Sequence, residues 1–560
     1  MKSIIRKVFV TSLAFATIGS SVLTMESCSE PESNLVDFNH KVDVPTDTLH
    51  SVLGIIQTMR NVADRTILLG EVRGDLISVT DAASDDLKNL AEFRNLDDNE
   101  YNKISDYYAV IQNCNFYLES ANLNLKKHGE VVFAKEYSVI KSYRAWAYLQ
   151  LALNYGSVPF FTKPILTEKD ADVKAYPKYN VKQIAEYFID DIKENVDVEY
   201  PSYGNMNDMS SRDFYINVRI LLGDLCLWAE RYKEAAQYYH DYLTKLGDTH
   251  PTGVAKTCWK DRNFEILNIQ DNFYSAIREK EERITYVPFE VSKYYGMESE
   301  LYYLFNSSER NNYYCSLDAS QALKNLSKEQ RSIVVDIDPV TQLPDTLIYE
   351  HINGYASKYD GDLRLYSIFV SGYTVSDNDQ FSHYVTYNYK HRSTETVTLY
   401  RLQHIYLRYA EAMNRAGYPN AAFAVLKYGL WRDNIEDYIP EDEREAAGDL
   451  LSFSEYSFTR ENTQGIHSRG CNRADADTLY RIPQCATKAD SILAVENLIC
   501  DEMGLETASE GLRYYDLMRL SMHRNDPTFL ADKVARRDGK LNATLYDYLK
   551  DEKNWYLPIK

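Results

Sequence analysis

Two segments of the sequence repeat one spacing of small residues, and this spacing limits the fold more than any other feature. Gly223 and Ala235 lie 12 residues apart, and so do Ala410 and Ala422; a large apolar residue follows four positions later in each case. Tetratricopeptide-type hairpins have this pattern, because their two helices approach closely over small side chains. The repeat does not continue as a regular array, so we predict a helical scaffold that carries long inserted segments.

Further helical patterns lie on both sides of these hairpins. Apolar residues recur at helical spacing across 101–127, and a second helical pattern runs over 133–155. Gly156 and Pro159 follow it directly, which predicts that the helix ends there. Residues 491–520 have the pattern of two more helices joined by a short turn.

Few residues in the chain break helices. Gly accounts for 22 of 560 residues and Pro for 15, below the usual shares of about 7% and 5%. A Tyr-rich stretch between about 257 and 397 differs, and segments 369–373 and 396–400 look extended. We predict a mainly α fold, in which tetratricopeptide-like helical hairpins pack against a loop-rich half with a few short strands.

The first residues have the pattern of an export signal. Lys2, Arg6 and Lys7 precede an apolar stretch that ends near Leu23 and is interrupted by Ser and Thr. This favours a cleaved signal over a membrane span. A small residue precedes Cys28, as at bacterial lipidation sites, so we predict that Cys28 is lipidated. Simple cleavage and secretion is the alternative.

We divide the sequence into four parts on the basis of these patterns. Residues 1–27 form the predicted lipoprotein signal peptide, and 28–45 form an acidic flexible tether. Residues 46–256 form an N-terminal helical region with the first hairpin. Residues 257–560 form a C-terminal region with the Tyr-rich insert and the second hairpin.

Charge and aromatic content narrow the range of ligands. The formal net charge is −21, which disfavours nucleic acid as a partner because an acidic surface repels phosphate backbones. The 47 Tyr residues offer flat apolar faces with one hydroxyl, a combination that sugar sites and protein interfaces both use. Ordinary core packing remains the alternative for any single Tyr.

The sequence contains no common enzyme signature. It has no nucleophile elbow, no H-E-x-x-H zinc motif, no P-loop and no glycine motif that opens a dinucleotide-binding helix. His383, His391 and His404 match no common ligand spacing, so we expect core or solvent roles for them. Asp475 and Asp477 could contact Ca²⁺, although their pattern fits a turn better. We predict no catalytic residue, no metal and no cofactor.

Several motifs resemble those of the SusD/RagB family. They extend over nearly the whole mature chain, and the two hairpins agree with the tetratricopeptide-like helices of that family. We expect the motifs to be structural, with Glu510 capping or pairing near a helix start and Arg513 close enough to reach it. In chain order the motifs are Arg144–Leu151 with Tyr155–Pro159, Gly465–Gly470, and Glu496–Glu502 with Glu506, Glu510–Leu517 and Arg519.

The resemblance implies a lipoprotein of the bacterial outer membrane that faces the outside of the cell. Members of this family act as lids over a TonB-dependent barrel of the SusC type, and they capture an oligomeric nutrient without catalysis. We therefore expect a lipid-anchored protein that binds an oligosaccharide and passes it to a SusC-like partner. A lid that binds peptides, and an envelope scaffold that binds only other proteins, are the alternatives.

The resemblance also implies that ligands bind between the early N-terminal region and the middle insert. Doubled aromatic residues in the insert cannot both face one core, so at least one of each pair is expected at a surface. Contact with a sugar and contact with the barrel both remain open for them. The ligand-binding candidates are Arg73, Asp75, Asn95, Tyr101, Trp259, Tyr295, Tyr303 and Tyr314.

Overall fold

A computed structural model describes most of the chain from residue 45 to residue 559. The predicted signal peptide and the lipidation site Cys28 lie outside the described residues and stay predictions. Among the helices that the structure describes, none is both long and apolar enough to cross a membrane. The described residues are 45–167, 170–172, 175–206, 209–245, 259–260, 266–267, 282–289, 296–307, 314–338, 340–349, 361–375, 382–459 and 463–559.

Helices are the dominant element of the described structure, and the strands are short, as the sequence predicts. The α-helices are α1 (Pro45–Glu71), α2 (Asp85–Ala91), α3 (Ile104–Ser120), α4 (Ala134–Tyr155), α5 (Val181–Ile192), α6 (Val218–Trp228), α7 (Tyr232–Lys245), α8 (Leu301–Phe305), α9 (Gln321–Lys328), α10 (Arg364–Ile368), α11 (Leu402–Arg415), α12 (Pro419–Lys427), α13 (Arg432–Tyr438), α14 (Glu441–Ala447), α15 (Ser468–Cys471), α16 (Lys488–Thr507), α17 (Arg513–Arg524), α18 (Pro527–Ala535) and α19 (Ala543–Leu549). The strands are β1 (Ile77–Val79), β2 (Lys126–Lys127), β3 (Glu130–Val131), β4 (Val158–Pro159), β5 (Lys178–Tyr179), β6 (Asn205–Met206), β7 (Met209–Ser210), β8 (Trp259–Lys260), β9 (Ile266–Leu267), β10 (Arg283–Pro288), β11 (Leu317–Ala319), β12 (Ser332–Ile337), β13 (Pro344–Tyr349), β14 (Phe369–Val375), β15 (Ser382–Asn388) and β16 (Thr396–Arg401).

The chain forms two compact units whose segments alternate along the sequence. The first unit contains the described residues up to Arg65, then Leu96–Ala229, and the tail from Tyr556. The second unit contains Thr66–Asn95 and the described residues within Glu230–Trp555. The four-part division made on the sequence patterns stays a prediction.

Four helices form the framework of the first unit. Helix α3 packs against α4, α4 packs against α5 and α6, and α5 packs against α6. Helix α4 ends at Tyr155, where Gly156 takes a positive φ of 71°. Glycine adopts this conformation without strain. The predicted helix end at Gly156 is therefore confirmed, and Pro159 follows in β4.

Asn115 interrupts the apolar stripe of α3 and is buried within the first unit. Its Nδ2 donates to the carbonyl oxygen of Phe161 at 3.3 Å, and its Oδ1 accepts from Arg144 at 3.1 Å. Arg144 also donates to Asp191 at 3.0 Å. Buried polar groups need such partners, because an unpaired group in a core is costly. The sequence motif that begins at Arg144 is thus a structural one, as expected.

In the second unit, α11 packs against α7, α12 and α16, and α17 packs against α16 and α18. Helices α11 and α12 form the second predicted hairpin, and its small residues Ala410 and Ala422 are fully buried. This prediction is confirmed. The helices of the first predicted hairpin belong to different units, with α6 in the first and α7 in the second.

The strands described by the structure pair two by two, and all of these pairs are antiparallel. The extended segment predicted at 369–373 lies in β14, which pairs with β15, and the one at 396–400 lies in β16, which pairs with β10. Both predictions are confirmed. Two-stranded sheets are barely stable alone, so these strands depend on the helices for their burial.

The start of α17 is capped by Glu71 rather than by Glu510. The carboxylate of Glu71 accepts a hydrogen bond from the backbone N–H of Gly511 at 2.8 Å. Burial raises the pKa of Glu71 to about 7, although its backbone hydrogen bonds lower it. Arg513 pairs with Asp75 at 2.6 Å. The expected pairing of Arg513 with Glu510 is therefore wrong, because each side chain has a partner from a distant part of the sequence.

Glu510 belongs instead to a group of buried acidic and basic side chains, which we call the charge cluster. Glu506 lies at its centre, and its carboxylate accepts from three guanidinium groups. Those of Arg364, Arg401 and Arg469 lie at 3.1, 2.8 and 3.0 Å from it. Burial alone would raise the pKa of Glu506, but the three cations outweigh it and hold the pKa well below its usual range. The cluster comprises Glu282, Asp362, Arg364, Lys390, Arg401, His404, His467, Arg469, Glu502, Glu506 and Glu510.

Two of the three histidines considered in the sequence are hydrogen-bonded within the protein, His404 in the core and His391 at a partly exposed position. His391 Nε2 lies 2.7 Å from the carbonyl oxygen of Ser509, and His404 Nε2 lies 2.6 Å from Glu510. Burial lowers the pKa of His391 to about 4. The side chain of His383 lies outside the described part of the chain.

Candidate functional site

The second unit contains a cleft of about 280 Å³. It lies at the end of α12, and its walls come from α13 and from the segment 464–475. Aromatic and polar side chains line it together. The lining residues are Lys427, Tyr428, Trp431, Asn434, Asp437, Tyr438, Gln464, Gly465, Ser468, Asn472, Arg473 and Asp475.

Two glycines allow the chain segments behind the cleft to approach backbone to backbone. A Cβ atom on Gly429 would lie 2.1 Å from the carbonyl oxygen of Thr463, and one on Gly465 would lie 2.2 Å from the backbone of Lys427. Gly429 also has a φ of 86°. Only glycine fits such positions without displacing a neighbour. The motif Gly465–Gly470 therefore begins with a residue that the cleft needs for its shape.

Two stacked tyrosine rings form an apolar platform in the cleft. Tyr428 directly follows α12, and Tyr438 is the last residue of α13. Their ring centroids are 3.7 Å apart, and the planes differ by 3°. Asn434 Nδ2 donates to the backbone oxygen of Tyr428 at 2.5 Å, which holds the loop against α13. Tyr438 is 47% exposed, so part of this platform is available to a ligand.

Polar groups stand beside the platform. The guanidinium of Arg473 donates to both oxygens of Asp475, at 2.8 and 2.7 Å. The backbone N–H of Arg473 donates to Ile333 of β12 at 3.0 Å, which fixes this wall to a strand. The Oε1 of Gln464 is buried and has no hydrogen-bond partner among the described residues. The lining of the cleft thus combines an aromatic surface with a buried acceptor that has no partner among the described residues.

Lys427 supports the platform from within the protein. Its side chain is 5% exposed, and its ammonium donates to the carbonyl oxygens of Asp477 and Tyr480 at 2.6 and 2.7 Å. The same nitrogen lies 5.2 Å from the centroid of the Tyr428 ring, within the range of a cation–π contact. The ammonium is therefore committed to the protein itself.

Two of the residues predicted to bind a ligand, Arg73 and Asp75, are core side chains of the second unit. Arg73 is 0% exposed and donates to the backbone oxygens of Leu69 and Trp555 at 2.9 and 3.2 Å. Both oxygens of Asp75 accept from Arg513, at 2.6 and 3.0 Å. Their burial and these bonds give no support to a ligand role, because a ligand at the surface does not reach them.

Four other predicted residues are spread over the chain. Asn95, in the second unit, is exposed and has a φ of 50°. Tyr101, in the first unit, is buried. Trp259 is described by its backbone alone, as part of β8, and Tyr295 lies outside the described residues. Ligand contact by these residues stays a prediction.

The remaining two predicted residues belong to doubled aromatics of the insert. Tyr303, on α8, is partly exposed, and its hydroxyl donates to Glu298 at 2.6 Å. Tyr314 is 74% exposed, which agrees with the expectation that one residue of each pair reaches a surface. Among the six predicted residues whose side chains the structure describes, none lines the cleft, so the ligand role of the eight is a separate prediction.

One group of side chains in the described part of the chain has the composition of a metal site. The ligand atoms of Asp362, His467 and Cys471 lie within 4.8 Å of one another. However, Asp362 is paired with Arg364 at 2.7 Å, and burial holds the pKa of the Cys471 thiol well above its usual value. A protonated thiol and an arginine-bound carboxylate are poor metal ligands. We assign the three residues to the framework around the charge cluster.

The cleft has a signal in the sequence that the prediction did not use. Tyr428, Trp431 and Tyr438 place three aromatic residues around one short helix. Asp475 was considered only for a turn or for Ca²⁺. The turn is present, since Asp477 accepts from the backbone N–H of the residue two positions later at 2.8 Å. The pairing of Asp475 with Arg473 depends on the geometry of their side chains, and this geometry cannot be predicted from their spacing in the sequence.

Comparison with a family model gives a match in the C-terminal part of the chain. Residues 366–560 match the model of the SusD family. This range includes every residue that lines the cleft and most of the charge cluster. The sequence matches none of the curated proteins with which it was compared.

Solved structures with a similar fold were also found. A SusD superfamily protein from Bacteroides fragilis NCTC 9343 superposes with a TM-score of 0.56 at 16% identity, over 92% of this chain and 96% of that one. A SusD superfamily protein from Bacteroides thetaiotaomicron VPI-5482 gives 0.55 at 14% identity, over 92% and 95%. A SusD-like carbohydrate binding protein from Bacteroides fragilis NCTC 9343 gives 0.51 at 11% identity, over 87% and 88%. At these identities the likeness concerns the fold.

Proposed function

We propose that this protein is a non-catalytic oligosaccharide-binding protein, because residues 366–560 match the model of the SusD family and the fold is similar to that of a SusD superfamily protein. The proposed binding site is the cleft. The main support is one observation: the half-exposed ring of Tyr438 and an acceptor of Gln464 that has no partner among the described residues belong to the lining of the same cleft. A relative in fold that is described as a SusD-like carbohydrate binding protein agrees with this function.

The chemistry of sugars fits the two kinds of surface in the cleft. A pyranose ring presents an apolar C–H face, which packs on an aromatic ring, and a rim of hydroxyls that donate and accept hydrogen bonds. Tyr438 offers the ring, while Gln464 and the Arg473–Asp475 pair offer polar atoms. Small-molecule sites usually measure about 300–1,000 Å³. A cleft of about 280 Å³ suits a short part of a longer glycan.

We further propose that this protein works at the cell surface, anchored in the outer membrane through a lipid on Cys28. In this proposal it delivers its oligosaccharide to a SusC-like TonB-dependent barrel. The export pattern before Cys28 and the family resemblance support this role. Tyr303 and Tyr314 are proposed as additional contacts, with either the glycan or the barrel.

Glycan binding is tested with an array of neutral and acidic oligosaccharides, followed by calorimetry on the best ligand. The wild-type protein is expected to bind, and Tyr438→Ala is expected to weaken binding by about 1–3 kcal/mol, roughly 10- to 100-fold, without unfolding the protein. Tyr456→Ala is the matched control, because Tyr456 is 95% exposed and does not line the cleft. Binding to oligopeptides but to no glycan would contradict the proposed ligand. Equal affinity of the wild type and Tyr438→Ala would contradict the proposed site.

The partner is tested by affinity purification from native outer membranes. The protein carries a C-terminal tag, the membranes are dissolved in mild detergent, and the eluted proteins are identified. We expect a stoichiometric TonB-dependent barrel. A surface-anchored protein that elutes without a barrel would contradict the delivery step and leave a free-standing binding protein or scaffold.

A further inference from the structure

The positive charges around the cleft are already paired within the protein. The two nitrogen atoms of Arg473 that face Asp475 are both used in hydrogen bonds. The ammonium of Lys427 is buried and donates to two carbonyl oxygens. Arg432, at the start of α13, is paired with Glu436 and a second glutamate. Both cations in the described lining of the cleft therefore already donate to acceptors of the protein.

One carboxylate of the cleft, that of Asp437, is not paired in this way. The formal charges of the four charged residues in the described lining, Lys427, Arg473, Asp437 and Asp475, sum to zero. Asp437 is exposed and has no ion pair or hydrogen bond among the residues that the structure describes. The net charge of −21 adds a repulsion of anions at longer range, which salt screens.

The unpartnered acceptors of the cleft also distinguish between ligands. The Oε1 of Gln464 and the carboxylate of Asp437 accept hydrogen bonds and need donors. A sugar hydroxyl is a donor, whereas an ionised carboxylate, sulfate or phosphate ester is an acceptor alone. Placing such an anion here would set acceptor against acceptor and leave its charge without a partner.

We infer, on the premise that the proposed function holds, that the cleft selects uncharged oligosaccharides and rejects those that carry uronate, sulfate or phosphate groups. Like charges that face each other across an interface repel, which makes them an effective means of rejection. Asp437 is the specificity-determining residue in this scheme. The platform of Tyr428 and Tyr438 binds the sugar face, and Asp437 decides which substituents the sugar can carry.

The test uses the tightest-binding neutral hexose oligosaccharide of the array and two derivatives of it. In the first derivative the C6 alcohols are oxidised to carboxylates. In the second these carboxylates are converted to amides, which keep the shape but lose the charge. Calorimetry at low salt should show binding of the oxidised form at least about tenfold weaker than that of the neutral form. The amide form should recover most of the affinity.

Asp437→Asn should reduce the difference between the neutral and oxidised forms several-fold. Asp433→Asn is the control, since Asp433 is exposed on the same helix but does not line the cleft. Equal binding of the neutral and oxidised forms would overturn the inference, and so would an amide form as weak as the oxidised one. An array in which acidic glycans bind best, with loss in Tyr438→Ala, would overturn the inference and keep the proposed function. Binding to no glycan would overturn both.

Discussion

The charge cluster and the cleft lie in the same unit and use the same kinds of side chain. They differ in whether those side chains are buried and have partners within the protein. In the cluster, the carboxylate of Glu506 is fully buried and meets three guanidinium groups. In the cleft, the ring of Tyr438 is half exposed, and the acceptor of Gln464 has no partner among the described residues.

The difference shows that partners, rather than residue types, separate the framework from the candidate site. A buried charge is tolerated only when other groups compensate it, so a fully compensated cluster has nothing left for a ligand. Arg73 and Asp75 illustrate the point. Their residue types are those of sugar sites, yet bonds within the core already occupy them.

The largest expected effect is on stability, from Glu506→Ala. The substitution leaves three buried guanidinium groups without one of their partners, and breaking a buried ion pair usually costs about 3–5 kcal/mol. Denaturant unfolding measures the change. The control is Glu455→Ala, which removes an exposed pair with Arg432 and should cost less than about 1 kcal/mol. Equal losses of stability in the two variants would contradict the claim that the buried charges of the cluster contribute more to stability than an exposed ion pair does.

The cluster should also make stability fall steeply in acid. Glu506 and Glu510 have pKa values below their usual range, because nearby cations outweigh the effect of burial. A depressed pKa contributes stability above the unfolded value of about 4.3, and this stability is lost as the pH falls through the folded value. Between about pH 6.5 and 4.3 two effects oppose each other. His391, with a lowered pKa, destabilises on acidification, while Glu71, with a raised pKa, stabilises.

Melting temperatures between pH 7 and pH 3 measure this dependence. The curve should be nearly flat to about pH 4.5 and steep below it. Glu506→Gln should show a shallower acid limb, because it lacks one of the depressed carboxyls. A melting temperature that stays constant down to pH 3 would contradict the ionised state of the cluster.

Lys427 shares properties with both regions. It lines the cleft, but it is buried and hydrogen-bonded like the residues of the charge cluster. Lys427→Met keeps the length of the side chain but leaves the carbonyl oxygens of Asp477 and Tyr480 without their donor. Unfolding should become easier by about 2–3 kcal/mol, the cost of unsatisfied buried acceptors. Calorimetric unfolding measures this change. A variant as stable as the wild type would mean that Lys427 does not support the platform.

The smallest effect is expected for Gln464→Leu. The direction of its effect on stability distinguishes a residue of the cleft from a residue of the framework. The substitution removes a buried acceptor that lacks a partner, so stability should stay the same or rise by up to about 1 kcal/mol. Glycan affinity should fall by about 0.5–1.5 kcal/mol, because one hydrogen bond to the ligand is lost. Parallel melting and binding measurements provide the check. A loss of stability with unchanged affinity would place Gln464 in the framework.

Local elements were largely predictable from the sequence. The helices α3 and α4, the helix end at Gly156, the α11–α12 hairpin and the strands β14 and β16 all lie where the patterns predict them. Periodicity, chain breakers and small residues at fixed spacing act between close neighbours in sequence, so one segment carries the whole signal. The candidate site was not predictable in this way, and the predicted binding residues whose side chains the structure describes all lie outside the cleft.

The sequence by itself determined the helices, the hairpin and the resemblance to the SusD family, since these depend on order along the chain. Only the tertiary structure decided which polar residues are free to bind. Arg513 finds its partner Asp75 at a separation of 438 residues, and the cleft forms where 427–438 meets 464–475. Pairing at such distances depends on packing of the whole unit, because a charge is satisfied by whichever partner the fold brings near it.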